Sequence, residues 1–209
     1  MSQPKQYSHI FSHFQTVDPI IHRALLEVDL DAWFAKAEKR TKGSDYFVAL
    51  CRAIVGQQLS GKAAEAIYKK FESYFGGSYT PKQILLAPDQ VVRDIGLSWA
   101  KVKYVKDLAD KFEKKEIAFD TLESLSDAEV IAELTKVKGV GSWTAEMFLM
   151  FTLLREDVFS HGDLGLRKGI MKLYAIEDPS VEQIEQITSP WAPYRTFGSI
   201  ALWQSFDEL

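Results

Sequence analysis

Asp163, in the segment VFSHGDLGLRKG, is the carboxylate of this chain whose setting suits chemistry. A carboxylate just ahead of a helical stretch has two uses. It caps the orphan N–H groups of that helix, or it stabilises positive charge and directs a water at a reacting centre. Upstream, Leu134 to Ala145 reads LTKVKGVGSWTA, which is the end of one helix, a tight glycine hairpin and the start of another helix. Gly139 and Gly141 flank Val140, and glycine accepts positive φ and close backbone approach. The hairpin amides from Gly139 to Gly141, with the positive end of the helix opening near Ser142, form a ready site for a phosphate. Lys136 and Lys138 add charge beside it. A plain helical hairpin with a glycine cap and two solvated lysines explains the same residues.

Two tryptophans and a polar tip extend the candidate chemistry. Trp143 follows the hairpin directly and Trp203 lies in the last helix. Indoles near helix ends commonly pack into cores, yet an indole face also suits a flat cationic ring. Gln57-Gln58-Leu59-Ser60 separates two apolar helices. It reads either as a solvated turn or as a group that probes a base pair, since amide side chains both donate and accept. His161 lies close to Asp163, but no second histidine or carboxylate stands at a metal-binding spacing, so a surface position is expected.

Helices must position these groups. Asp18-Pro19 opens one, a short one spans Ala32 to Lys39, and Lys42-Gly43-Ser44 breaks the pattern. From Asp45, Phe47, Leu50, Cys51 and Ile54 keep helical spacing up to Gly56. Ser60 is placed to cap the next helix, which Gly76-Gly77 ends. Thr80-Pro81 starts a further helix, Asp89 to Ile95 supplies a short one, and Ser98 caps Trp99 to Phe112 after a looser hairpin at Gly96-Leu97-Ser98. Ser126 and Glu129 have the spacing of a capping box. Beyond the hairpin, Met147, Met150, Phe151 and Leu154 recur on one stripe, predicting an amphipathic helix of about 12–14 residues that leads towards Asp163. After Asp178-Pro179-Ser180 and Ser189-Pro190, a last helix runs from about Tyr194 to Phe206. Period-two stretches are few, so an all-α fold follows, with no low-complexity linker.

Composition narrows the class. The chain has 209 residues, 46% of them hydrophobic and 26% charged, as expected of a globular protein with a real core. No apolar run reaches the roughly 18 residues of a membrane span, and MSQPKQYSHIF lacks the layout of a secretory signal. Cys51 is the only cysteine, which excludes an internal disulfide or a multi-thiolate cluster and fits a reducing cytoplasm. A net charge of −4 argues against non-specific coating of nucleic acid but leaves room for a local basic face.

Together these segments resemble the helix-hairpin-helix (HhH-GPD) DNA glycosylase superfamily, in which a hairpin, a link and an aspartate occur in this order. The chain is most similar to the 3-methyladenine DNA glycosylase II branch. The likeness runs in order over IVGQQLSGKAAEAIYKKF, GLSWAKVKYVKDLA, the hairpin with its aspartate, and WAPYRTFGSIALW, covering about residues 45 to 205. It implies a single glycosylase unit over 1–209. Two helical lobes, about 45–155 and about 1–44 with 156–209, would flank a DNA-binding cleft. No N-terminal β domain is expected ahead of them.

The resemblance also assigns roles. Asp163 falls at the superfamily's catalytic aspartate, and Trp143 and Trp203 fall where the branch keeps aromatic groups around the flipped base. Gln58, with Leu59, takes the wedge position that fills the gap left in the duplex. Lys136, Lys138, Gly139, Val140 and Gly141 meet the DNA backbone, and the carbonyls of Thr135, Val137 and Val140 match those that hold a monovalent cation such as Na⁺ or K⁺. No cofactor is otherwise required.

Departures from the pattern carry equal information. Trp143 stands where bifunctional members carry a lysine nucleophile, so strand cleavage by a Schiff base is not expected. The four cysteines of the iron–sulfur members are missing. Ser160-His161-Gly162 replaces the proline that many relatives carry before the aspartate, and Gln58 stands where some relatives use a leucine wedge, which leaves the choice of opposing base open. The expectation is a monomeric, monofunctional glycosylase of base excision repair that releases alkylated purines, 3-methyladenine or 7-methylguanine, from double-stranded DNA. It would act in the cytoplasm at the bacterial nucleoid, or in a eukaryotic nucleus. A non-catalytic hairpin module for DNA binding and a glycosylase for deaminated or oxidised bases are the alternatives. Asp163 separates the first of these, because a pure grip has no use for a carboxylate beside phosphate.

Overall fold

The computed structural model describes residues 5–34 and 43–207, and among them there are helices and no strand. The all-α class expected from the periodicity is what the chain adopts. It divides into two compact units, Met1–Glu38 with Leu149–Leu209, and Lys39–Phe148.

The first unit opens with α1 (Ser8–Val17), α2 (Pro19–Leu26) and α3 (Leu30–Phe34). Pro19 takes the first helical position, and Asp18 Oδ1 accepts from the amides of Ile20 at 3.0 Å and Ile21 at 3.2 Å. Asp18 Oδ2 accepts from Trp191 Nε1 at 2.8 Å and from the Tyr174 hydroxyl at 2.5 Å, so this cap also ties distant parts of the unit together. Burial, and then the Asp18 carboxylate, push the Tyr174 phenol well above its ordinary range. The helix expected from Ala32 to Lys39 begins two residues earlier, at Leu30, and residues 35–42 lie outside the described residues.

The second unit holds α4 (Gly43–Gly56), α5 (Gly61–Tyr74), α6 (Pro81–Leu86), α7 (Asp89–Asp94), α8 (Trp99–Glu113) and α9 (Asp127–Leu134). Next comes α10 (Ser142–Phe151), whose last residues count with the first unit. Phe47, Leu50 and Ile54 of α4 and Val102, Val105 and Leu108 of α8 are buried where these helices pack. Each such side chain contributes about 1.5–3 kcal/mol of hydrophobic stabilisation. The predicted caps form at Ser98 and Ser126, Ser126 with Glu129 makes a full capping box, and Thr80 makes another with Gln83 at the helix start expected from Thr80-Pro81. Two expectations change here. Gly43 and Ser44 begin α4 instead of breaking the chain, and Ser60 takes N-cap backbone angles without a capping hydrogen bond from its side chain.

The helix after the hairpin also differs from its pattern. It spans 10 residues and buries Thr144, Ala145, Phe148, Leu149 and Met150, which lie around the helix and not along one stripe. Leu154 is not part of it: the residue adopts a φ of +57° after the helix has ended. The first unit then continues with α11 (Leu164–Tyr174), α12 (Val181–Thr188) and α13 (Arg195–Asp207). α13 packs on α11 and α2, and Ile21, Leu25, Ile170, Ile200 and Leu202 share one core there.

Candidate functional site

The candidate residues fall into two groups, one in each unit. In the second unit, the hairpin Thr135–Gly141 joins α9 to α10. It is braced by hydrogen bonds from Val137 N–H to Leu134 O and from Val140 N–H to Val137 O, both 3.1 Å, while the side chains of Val137 and Val140 are buried. Gly139 has φ +78°, and a Cβ built there would lie 2.2 Å from the Tyr104 ring, so both backbone angle and space demand glycine. Gly141 differs. Neither its φ nor any neighbouring atom within 4 Å requires glycine at that position.

The two hairpin lysines are engaged with acidic neighbours, which corrects the picture of simply solvated cations. Lys136 Nζ pairs with Glu133 on α9. Lys138 Nζ lies 3.2 Å from Asp107 of α8, and Lys138 N–H donates to the same carboxylate at 2.9 Å. Both ammonium groups are exposed although their partner carboxylates are largely covered, so water screens the pairs and leaves the lysines within reach of a phosphate.

The glutamine tip is bound to the hairpin. Gln57 Nε2 donates to Gly139 O at 2.9 Å and lies 3.4 Å from Thr144 Oγ1. Lys101 Nζ donates to the carbonyls of Val55 at 2.8 Å and Gln57 at 2.6 Å, and burial lowers its pKa. Gln58 itself is exposed in the left-handed region at φ +56°, and Leu59 beside it is exposed as well. The adjacent glutamines therefore divide their work: one is tied down, the other is presented outward.

In the first unit, Asp163 is the N-cap of α11 and is 8% exposed, with Oδ1 accepting from Leu166 N–H at 2.9 Å. The same oxygen accepts from Trp203 Nε1 at 3.1 Å. Sequence reasoning missed what surrounds this pair. Trp33 stacks on Trp203 with ring centroids 6.1 Å apart at 15°, and Phe151 lies 6.0 Å from both indoles. Trp33 gave no local signal, because it reaches Trp203 only through tertiary packing. Gly165 was also missed, although a glycine inside a helix is a readable mark. A Cβ there would come within 3.0 Å of the Trp203 ring and 3.1 Å of Asp163 Oδ1, so the missing methyl is what admits the indole.

The link before Asp163 is pinned at several points. Thr196 Oγ1 donates to Arg155 O at 2.7 Å and accepts from Val158 N–H at 3.1 Å. Arg195 grips Asp157 through two nitrogens, at 2.8 and 3.0 Å. Burial alone would raise the Asp157 pKa, but the hydrogen bonds and charge of Arg195 hold it below the usual carboxylate range. His161 is exposed, with Nε2 3.2 Å from Glu185, as a surface role requires. Trp143 stands about half-exposed on the first turn of α10, in the other unit from Asp163 and Trp203. Among the described residues no three His, Cys, Asp or Glu side chains gather to hold a metal ion, and no helix is long and apolar enough to cross a membrane.

A DNA-3-methyladenine glycosylase of Saccharomyces cerevisiae is 32% identical over 191 residues, which are 86% of this chain and 63% of that protein. The chain thus spans under two thirds of that relative's length. DNA-3-methyladenine glycosylase 1 of Schizosaccharomyces pombe is 34% identical, over 75% of this chain and 70% of that one. A solved structure of the Schizosaccharomyces pombe 3-methyladenine DNA glycosylase in complex with abasic DNA superposes with a TM-score of 0.75 at 29% identity, covering 94% of this chain and 95% of that one. The sequence profile of the HhH-GPD superfamily base excision DNA repair proteins matches residues 51–193. The chain belongs to the HhH-GPD superfamily of base excision DNA repair proteins.

Proposed function

We propose that this protein is a monofunctional DNA glycosylase that flips alkylated purines out of double-stranded DNA and hydrolyses their N-glycosidic bond, leaving an abasic site. The observation that carries the reading is the pairing of a buried carboxylate with stacked aromatic rings: Asp163 bonded to Trp203, and Trp203 stacked on Trp33. A purine methylated at N3 or N7 is cationic and already a good leaving group, so the site needs no strong general acid. It needs electron-rich faces for the cation, which Trp203 and Trp33 provide. As the bond breaks, positive charge moves to the sugar. The Asp163 carboxylate stabilises that charge and orients or deprotonates the attacking water.

Extruding the base costs a few kcal/mol, less for a damaged or poorly paired one. Gln58 and Leu59 fill the gap in the duplex, while the amides of Gly139 to Gly141 with Lys136 and Lys138 hold the strand. Gly141 supports that role, since nothing inside the fold demands a glycine there. The hairpin carbonyls of Thr135, Val137 and Val140 are hard oxygen donors of the kind a monovalent cation takes, and such a cation would supply charge to the backbone phosphate. The protein acts as a monomer wherever the DNA lies, at a bacterial nucleoid or in a nucleus.

The experiment is release of free base from methylated duplex DNA, followed by scoring of strand breaks with and without alkali. The reading expects free 3-methyladenine or 7-methylguanine, and breaks only after alkali. Breaks without alkali would replace the hydrolytic mechanism with a lyase, and absence of released base alongside tight duplex binding would favour a bare binding module. Trp203→Ala tests the pocket. Single-turnover release should fall about 10–30-fold, the worth of a desolvated cation–π contact, while duplex binding stays near wild type. Unchanged release would remove Trp203 from the pocket.

A further inference from the structure

Resting on the reading of Gln58 as the inserted group and of the hairpin as the strand grip, we infer that Gln57 is a positioning residue locking the two together as one rigid reader. Gln57 and Gly139 are 82 residues apart in the chain, and the Gln57 Nε2–Gly139 O hydrogen bond joins the glutamine turn directly to the hairpin backbone. The turn is short and strained: Leu59 N–H reaches back to Gly56 O at 3.3 Å, and Gln58 between them is held at φ +56°. A non-glycine residue stays in that region only when its surroundings over-determine it, and such strain gathers at functional sites.

Helix α8 is the common base of both loops. Lys101, Tyr104 and Asp107 recur every third residue along it, so they lie close to one face. Lys101 Nζ holds the carbonyls of Val55 and Gln57, the Tyr104 ring seats Gly139, and Asp107 accepts the Lys138 amide at 2.9 Å. Gln57 closes this assembly across the top. Its main chain is fixed by Lys101 while its side chain is fixed by the hairpin. A phosphate seated on the hairpin is thereby at a set distance from the side chain entering the duplex. Without the Gln57 amide, Gln58 must find its place after the strand is bound, which slows extrusion and leaves bond cleavage untouched.

The test uses two duplexes containing 7-methylguanine, one with cytosine opposite and one with a tetrahydrofuran spacer opposite, where the lesion is already unpaired. Single-turnover base release is measured for wild type, Gln57→Leu, Gln58→Ala and the double variant, with melting curves for each. Gln57→Leu should slow release from the paired duplex about tenfold, the order of one lost hydrogen bond, and return to within about threefold of wild type on the unpaired duplex. Gln58→Ala should show the same contrast, and the double variant should be no slower than the slower single one, because Gln57 acts through Gln58. Should Gln57→Leu fold poorly, Lys101→Met releases the same turn and should give the same contrast.

Equal slowing on both duplexes, or no slowing on either, overturns the inference. If Gln58→Ala keeps the wild-type ratio between the duplexes, the wedge reading fails first and the inference falls with it. Absence of release by wild type from both duplexes would instead defeat the proposed activity itself.

Discussion

Asp163→Asn should slow base release about 10²–10⁴-fold while leaving the fold and duplex binding intact. The substitution is conservative for the structure, because an asparagine oxygen can still accept from Leu166 N–H and Trp203 Nε1, the two donors that meet Oδ1. The cap of α11 and the placement of the indole therefore survive. What is lost is the negative charge facing the positive sugar in the transition state, together with the base that orients water. Removal of a preorganised electrostatic or general-base group costs about 10²–10⁴ in rate, or roughly 3–5 kcal/mol of barrier. Duplex affinity should stay the same or rise, because a carboxylate beside DNA repels phosphate. Affinity should fall with added salt in parallel for both proteins, since counterion release at the backbone is unchanged. The measurements are single-turnover release from methylated duplex and fluorescence anisotropy across a salt series. Release by Asp163→Asn at the wild-type rate would show that the carboxylate is a cap and nothing more.

Asp163 also illustrates what could be read from the sequence. An aspartate before a helix suggested either a cap or a chemical group, and the structure makes it a cap that also bonds to Trp203. The two readings are compatible, because one carboxylate oxygen accepts both donors. Caps, proline starts and the hairpin turn were legible at Asp18, Ser126 and Gly139, since each places a demand on its own backbone that only a few residue types meet. Partners brought together by folding left no such mark. Trp33 meets Trp203 from the opposite end of the chain, and Gln57 meets Gly139 across 82 residues. Lys136 and Lys138 looked like free charge because Glu133 and Asp107 do not announce themselves as partners. Leu154 was misread for a related reason. The helical spacing continues through it, but the chain leaves the helix after Phe151 and Leu154 adopts a left-handed angle that hydrophobic pattern cannot report.

Gly139→Ala should destabilise the protein and cost it duplex binding, whereas Gly141→Ala should cost binding alone. At Gly139 two penalties combine. An alanine at φ +78° carries about 1–2 kcal/mol of backbone strain, and its methyl would lie 2.2 Å from the Tyr104 ring. The ring belongs to α8, which packs on α4 and α6, so clearing the clash disturbs the core or lifts the hairpin, at about 1–3 kcal/mol more. A total of about 3 kcal/mol lowers the melting temperature of a chain of this size by roughly 6–12 °C. Lifting the hairpin also breaks the Gln57 hydrogen bond to Gly139 O and moves the amides that meet phosphate. At Gly141 neither penalty applies, for the angle is ordinary and no atom lies within 4 Å of the added methyl. There the methyl intrudes only on the approaching DNA backbone, so duplex affinity should fall with the melting curve unmoved. Thermal melting and anisotropy on the two variants separate the fold's demand for glycine from the ligand's. A wild-type melting curve for Gly139→Ala would contradict the hairpin geometry, and wild-type affinity for Gly141→Ala would contradict phosphate contact at that amide.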